Sequence, residues 1–432
     1  MKNRRPIVLG AVGDISYLAG VNAGVRKHGL DWPFELMAPY LEGVDILFGN
    51  LECVFVPAEY PQNKADPRAL IAPFPGEEVA ASLVRAGFTF LNLAQNHILD
   101  SGVVGMNYTR EVLESAGLKT GGVGSSQTEA RRLVSVERKG LTIGFLCYCE
   151  DNNYVLGTRG PCHAFYEREA VLADVEKARE AVDVLVVSVH ADLEFMPAPS
   201  LPRLGTFREI AAAGADVVLG HHPHVPQGCE IYRGSLIAYS LGNFLFPAQT
   251  SRYMRSRLPQ TRKSFLLKVQ LGRNGFESFE RLPVEIRGRS EERPVPLSGE
   301  EAKGALAYFA QLDAYLEDEA FLQEIWRVCA REKLGEYLRR AFDFPQESLM
   351  RRGVRRVLRR FGIDVLPPAQ PNVGRVVDEL VTRLCLTQEN RLWMEEILRM
   401  GIEAHESRLS EEADQYHRPH FRFEHPKRGS KG

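Results

Sequence analysis

The sequence predicts a layered α/β fold with an all-helical extension appended at its C-terminal end. Three observations carry this. Over roughly the first two-thirds of the chain, short apolar runs rich in β-branched residues alternate with stretches of helical periodicity. Several of these runs are continuously apolar, as strands covered on both faces are. From Glu300 onward strand signals almost vanish and apolar residues recur at helical spacing.

The elements follow in order. Ile7–Val12 is the first strand run and leads directly into Asp14; Val44–Phe48 is the second and leads into Asn50 and Glu52. The helical stretch Gly76–Ala86 precedes the run Phe88–Leu93, and Val103–Ala116 follows it. Leu141–Tyr148 is succeeded by a helix over Glu167–Ala181, a strand over Val184–Val189, a helix over Pro202–Ala213 and a strand over Val217–Leu219. Leu236–Tyr239 and Phe265–Val269 are reached through turns rather than helices, so part of the sheet is expected to be antiparallel. The charged, proline-bearing stretch Arg287–Ser298 (RGRSEERPVPLS) marks a boundary. It divides a first domain, 1–287, from a helical domain, 288–416, and a polar tail, 417–432. The helical patterns are Ala302–Leu316, Phe321–Phe342, Gln346–Phe361, Val373–Leu386 and Arg391–Arg408.

Composition narrows the class further. With 432 residues, 44% hydrophobic and 25% charged, the chain is an ordinary globular one, which excludes disordered and collagen-like classes. Lys plus Arg (54) nearly balance Asp plus Glu (56), leaving a net charge of −2 and no global basic field to attract nucleic acid. Seven cysteines without a C-x-x-C pair imply neither a disulfide framework nor a zinc ribbon, and fit a reducing compartment. No run approaches the roughly 18 apolar residues of a membrane-spanning helix. The stretch Ile7–Val12 is too short for a signal-peptide core. A soluble, cytoplasmic protein is expected.

The chemistry-bearing residues cluster just after the strand runs. Asp14, Asn50, Glu52, Asn96, His97, His190, His221, His222 and His224 all sit there. Ligands of open α/β sheets gather at the carboxyl ends of strands, so these groups are expected to converge on one crevice. Carboxylate, amide oxygen and imidazole together suit Mn, Fe or Zn better than Ca or Cu. Taken singly, Asp14 also fits a helix cap or turn, and Asn50 competes with Glu52 for one ligand position. Asp100 fits either a cap of the helix that starts near Ser101 or a hydrogen bond to a ligand.

The segments GDIS, GNLE, NLAQNHILDSG, TGGVGSSQTEARR, SVHADLE and GADVVLGHHPHVPQGCEIYRGSLIAYSLGNFLF resemble the CapA family, the poly-γ-glutamate capsule synthesis proteins, of the calcineurin-like metallophosphoesterase superfamily. The resemblance covers Pro6 to Glu285. It implies a four-layer α/β/β/α metallophosphoesterase-like sandwich with one or two divalent metal ions at the strand ends. The implied ligands are Asp14, Glu52, Asn96, His190, His222 and His224. His97 is implied to orient the substrate or protonate the leaving group. Glu194 and Asn243 lie in motif-like segments and are expected to touch substrate or brace the site, and His221 and Asp100 to support the ligands. Two departures from the superfamily stand out: Ser16 occupies the place of the histidine in Asp-x-His, and Glu52 stands where an aspartate is usual.

The function expected from this is metal-activated hydrolysis of a phosphoester on an anionic metabolite or polymer intermediate, linked to capsule synthesis. Two rivals keep the fold. One is γ-glutamyl amide chemistry (hydrolysis, transfer or assistance to a ligase), and the other is a non-catalytic assembly factor. An arginine-rich helix, Arg351, Arg352, Arg355, Arg356, Arg359 and Arg360, reads first as a solvated basic face paired with acids elsewhere; as an anion-binding face it would serve the assembly factor. The helical domain also offers a route to oligomers.

Overall fold

The computed structural model describes residues 6–60, 69–150 and 160–329. The chain divides into two compact units, the first containing every described residue through Asp318 and the second beginning at Glu319. The arginine-rich stretch 351–360, the four helical patterns that reach or start beyond residue 329 and the tail 417–432 lie, in whole or in part, outside the described residues.

The first unit opens with β1 (Ile7–Ile15), α1 (Ala19–His28), α2 (Ala38–Leu41), β2 (Ile46–Leu51), α3 (Gly76–Arg85), β3 (Phe88–Asn92) and α4 (Gly102–Ser115). Next come β4 (Lys119–Gly121), β5 (Val123–Gly124), α5 (Gln127–Ala130), β6 (Val134–Arg138), β7 (Leu141–Cys149) and β8 (Cys162–His163). The second half holds α6 (Arg168–Arg179), β9 (Val184–His190), α7 (Leu201–Ala212), β10 (Val217–His221), β11 (Cys229–Tyr232), β12 (Ser235–Ala238) and β13 (Asn243–Leu245). It closes with α8 (Arg252–Arg255), β14 (Lys263–Gly272), β15 (Gly275–Arg287), β16 (Arg293–Pro296) and α9 (Gly299–Tyr315).

The strands form two large sheets. The first has the order β16-β15-β14-β1-β2-β3-β4, with β13 also paired to β1; the second has the order β11-β12-β10-β9-β7-β6. β1 to β4 are mutually parallel, as are β7, β9, β10 and β12; helix-bearing connections return the chain to the same end, except between β10 and β12, where β11 does so. β14, β15 and β16 are antiparallel, joined by short turns.

The sheets face one another through an aromatic stack: Phe145 of β7 lies 4.2 Å from Phe90 of β3 and 6.0 Å from Phe48 of β2, centroid to centroid. Alternation along β2 then puts Leu47 and Leu51 on the opposite face. There they join Val79 and Leu83 of α3 and Val112 and Leu113 of α4 in one buried cluster. α6 and α7 cover the outer face of the second sheet, where Phe207 stacks on Tyr239 at 5.4 Å. Helices, sheet, sheet and helices make the four-layer α/β/β/α sandwich.

The first unit runs on past residue 287, where the sequence places a boundary. Arg293–Pro296 is hydrogen-bonded to β15 as the edge of the first sheet. α9 then returns over the structure, setting Phe309 against Phe265 at 5.1 Å and Asp313 against Arg281 and the Cys229 amide. Residues 319–329, in the second unit, are helical.

Candidate metal centre

All the strand-end residues picked out from the sequence sit at the carboxyl ends of the parallel strands, where the two sheets meet. β1 supplies Asp14, which is in register with Asn50 of β2 on one side and with Asn243 of β13 on the other. Glu52 follows β2, and Asn96 follows β3. On the second sheet His190 and His221 are register partners at the ends of β9 and β10. The chain then turns sharply: His222 and His224 both adopt left-handed backbone, φ 96° and 58°. Such backbone costs on the order of 1–3 kcal/mol per residue and persists where the surroundings fix it. Here two hydrogen bonds do so, from the Ala191 amide to His221 O (3.0 Å) and from the Phe195 amide to Pro223 O (2.8 Å).

Two overlapping ligand groups result. Glu52, His190 and His222 offer atoms within 4.8 Å of one another, and so do Asp14, Glu52 and His224. Glu52 belongs to both. Its Oε1 lies 3.9 Å from His190 Nε2 and 3.5 Å from His224 Nε2. Asn96 joins the first group, its Oδ1 3.0 Å from His190 Nε2. All six residues are buried.

Their protein partners do not satisfy them. Asp14 Oδ2, both Glu52 oxygens and both ring nitrogens of His222 are buried without a hydrogen bond. A buried polar group left unpaired costs about 1–3 kcal/mol, and five such atoms in one place mark a site built for something else. Carboxylates and imidazoles converging on a water-excluded point match a divalent cation. Burial, reinforced by neighbouring imidazoles, holds His190 well below the usual histidine range, and burial pulls His222 down to about 4. Both rings are therefore neutral near pH 7, the form a metal requires. Burial opposes the charge on Asp14, but His221 and His224 outweigh it and keep the carboxyl well below its ordinary value. Burial likewise opposes a proton on His224, and the carboxylates of Glu52 and Asp14 reverse this, raising it to about 10.

Supporting residues fix the ligands. The Asn243 Oδ1 accepts from His224 Nδ1 at 2.9 Å, while its Nδ2 donates to His224 O and Thr261 O. Asn243 thus braces the site, aiming His224 Nε2 at Glu52. His221 sets Nδ1 3.5 Å from Asp14 Oδ1 and lays its ring on Phe48 at 5.8 Å. Asp100 does not cap α4, which starts at Gly102 without a side-chain cap; its Oδ2 accepts from His97 Nδ1 at 2.8 Å and from the Leu70 amide. His97 is the more open member of the cluster, with 18% of its side chain exposed. The Tyr253 hydroxyl bonds Glu194, whose charge acts on both His222 and Glu52.

Several participants escape a reading of the sequence. Asn92 donates to Asn50 Oδ1 (2.7 Å), and Asn50 donates to Asp14 Oδ1 (2.8 Å), forming an amide relay across three strands. Glu150, whose amide donates to His190 O at 3.0 Å, has both carboxylate oxygens bonded by the buried Arg203, which stacks over Tyr166 at 5.2 Å. Glu150 directly follows an apolar strand, the same signal that marks Asp14 and His190.

Two facing sheets with outer helices make a metallophosphoesterase-like fold, with buried carboxylates and imidazoles able to hold a metal at the carboxyl ends of its strands. Within that class the chain belongs to the bacterial capsule synthesis protein family PGA_cap, whose family model matches residues 8–248. Relatives include the PGA biosynthesis protein CapA of Bacillus subtilis strain 168, 30% identical over 295 residues, 68% of this chain and 74% of that one. The capsule biosynthesis protein CapA of Bacillus anthracis is 29% identical over 306 residues, 69% of this chain and 71% of that one. Among solved structures, the 5'-nucleotidase of Candida albicans SC5314 superimposes with a TM-score of 0.38 at 9% identity, covering 73% of this chain and 58% of that one. Among the described residues no helix is long and apolar enough to cross a membrane.

Proposed function

We propose that this protein is a metal-dependent hydrolase of capsule or poly-γ-glutamate-type biosynthesis, acting on a phosphoester of an anionic metabolite or polymer intermediate. The observation that carries the reading is the Glu52-centred cluster of buried, unpaired ligand atoms. Asp14, Glu52, Asn96, His190, His222 and His224 would hold one or two ions of Mn, Fe or Zn. Ions bound there would polarise the substrate and lower the pKa of a water nucleophile.

The chain's own groups supply the rest. Asn96 gives an oxygen without a charge, leaving more positive field for an anionic substrate. Asp100 holds His97 Nδ1, so Nε2 is the nitrogen turned to the substrate, where it can hand a proton to the departing oxygen. Asn243 keeps His224 in the ligating orientation. Glu194, bonded by the Tyr253 hydroxyl, would meet substrate.

The test is elemental analysis of protein purified without chelator, together with turnover of a generic aryl phosphate. Wild type is expected to retain metal and turn over, and His222→Ala to lose turnover and retain less metal. His97→Ala should keep its metal and lose roughly 10²–10⁴-fold in rate. A wild-type protein with neither metal nor turnover would refute the reading.

A second reading keeps the site and changes the bond to a γ-glutamyl amide. The PGA biosynthesis role named for the Bacillus subtilis relative supports it. Mass spectrometry of γ-glutamyl peptides after incubation separates the two, since only this version alters amide connectivity.

A further inference from the structure

We infer that the Ser16 hydroxyl is an oxygen ligand to the ion position formed by Asp14, Glu52 and His224, making it the more oxygen-rich of two unlike metal positions. The inference rests on the metal reading above.

It begins where β1 ends, at Ile15. Ile15 and Tyr17 are both buried in the outer core cluster with Leu51, whereas Asp14 faces the imidazoles of His221 and His224 on the inner side. Ser16, between Ile15 and Tyr17, then falls on that inner side. The backbone is tied on both edges beyond the end of β1: the Ser16 amide donates to Leu245 O at 2.6 Å, and Ile15 O accepts from the Glu52 amide at 2.9 Å. That pairing sets Ser16 beside Glu52, just as Asp14 sits beside Asn50.

Ser16 is fully buried, and its Oγ has no hydrogen-bond partner. Its neighbours in this row, Asp14 Oδ2 and both Glu52 oxygens, have none either. A lone orphaned hydroxyl would be a packing cost. Orphaned oxygens on adjacent strands, facing one side beside an imidazole, are accounted for together if a cation shares them.

The two positions then differ in kind. One has carboxylate oxygens from Asp14 and Glu52, the Ser16 hydroxyl and one imidazole, His224. The other has Glu52, the Asn96 amide oxygen and two imidazoles, His190 and His222. Oxygen-rich sets favour harder ions such as Mn²⁺ or Mg²⁺, and imidazole-rich sets favour Zn²⁺ or Fe²⁺.

The experiment is a chelator-competition titration of the metal-free full chain with Mn²⁺ and Zn²⁺. Wild type is expected to bind two ions, and Ser16→Ala to weaken one of them by roughly tenfold or more while leaving the other unchanged. Ser16→Cys, a smaller perturbation of the fold, is titrated with Cd²⁺ and should develop a thiolate-to-metal charge-transfer band that wild type lacks. Both affinities intact in Ser16→Ala, or a folded Ser16→Cys protein without the band, would overturn the inference and leave the metal reading standing. A wild type that binds no ion would overturn the metal reading itself.

Discussion

Single residues in this protein are held in states that cost energy, and the clearest one outside the candidate metal centre is His163. It lies on β8, fully buried, with neither ring nitrogen bonded, and burial lowers its pKa to about 4. In the unfolded chain the same ring titrates near 6.5. The folded value is the depressed one, so below pH 6.5 the unfolded state binds the proton and the folded state does not. Stability is therefore complete above about pH 6.5 and falls as the pH drops toward 4. At pH 5 the loss from this one residue is about 2 kcal/mol. Urea unfolding of wild type and His163→Leu at pH 7.5 and pH 5 isolates it, because the other titrating groups are common to both proteins. Wild type should lose about 2 kcal/mol more than the variant; equal losses would mean that His163 finds a proton acceptor in the folded state.

At the scale of elements, the segment between β12 and β13 crosses from one sheet to the other, and it can do so only over glycine. A Cβ on Gly220 of β10 would lie 1.8 Å from Tyr239 O, and one on Gly13 of β1 would lie 1.8 Å from Gly242 O. The crossing is fastened by hydrogen bonds at the same points, from the Leu241 amide to Gly220 O (3.2 Å) and from the Asp14 amide to Gly242 O (3.0 Å). Each glycine immediately precedes a residue of the centre, Asp14 or His221. Gly13→Ala and Gly220→Ala should each destabilise the fold by about 1–3 kcal/mol, since backbone must move. Gly205→Ala, exposed on α7 with open space around it, should be neutral or stabilise by about 0.5–1 kcal/mol. Thermal melts of the three variants check the ordering, and a destabilised Gly205→Ala would undo it. This crossing also marks where the sequence stops being legible. The buried parallel strands announce themselves as apolar runs, and β9 and β10 each lie within a residue or two of their expected ends. β13 is three residues long and exists because β1 is beside it, 229 positions earlier in the chain. β15 is missed for another reason: GFESFERLPVEIR carries charge on its exposed face, and its partner β14 supplies the pairing. The Arg287–Ser298 stretch reads as a boundary from composition, and β16 within it completes an edge of the first sheet.

Across the whole first unit, the candidate ligands follow from the family resemblance and lie after apolar runs, whereas the bonds that support them depend on which strands become neighbours. Asn243 is expected at the site from its motif, but its bond to His224, Asn92 reaching Asp14 through Asn50, and Ser16 lying beside Glu52 are facts of sheet order rather than of spacing. The same sheet order has a thermodynamic consequence. Asp14, Glu52 and Asn96 come from the first sheet, while His190, His222 and His224 come from the second, so an ion among them cross-links the two halves of the sandwich. Without it, two buried carboxylates and several unpaired ring nitrogens face one another at the seam. Binding to the folded state alone stabilises by RT ln(1 + [M]/Kd), about 4 kcal/mol when free metal is 1,000 times Kd. For a unit of this size that is a rise in Tm on the order of 10 °C. Calorimetry of chelator-stripped protein, with and without added Mn²⁺ or Zn²⁺, should show the rise in wild type and His97→Ala. It should show a smaller rise in His222→Ala, which loses a ligand of the imidazole-rich position but keeps the group of Asp14, Glu52 and His224. Equal melting temperatures for stripped and metal-loaded wild type would mean that the seam is held by packing alone and that no ion spans it.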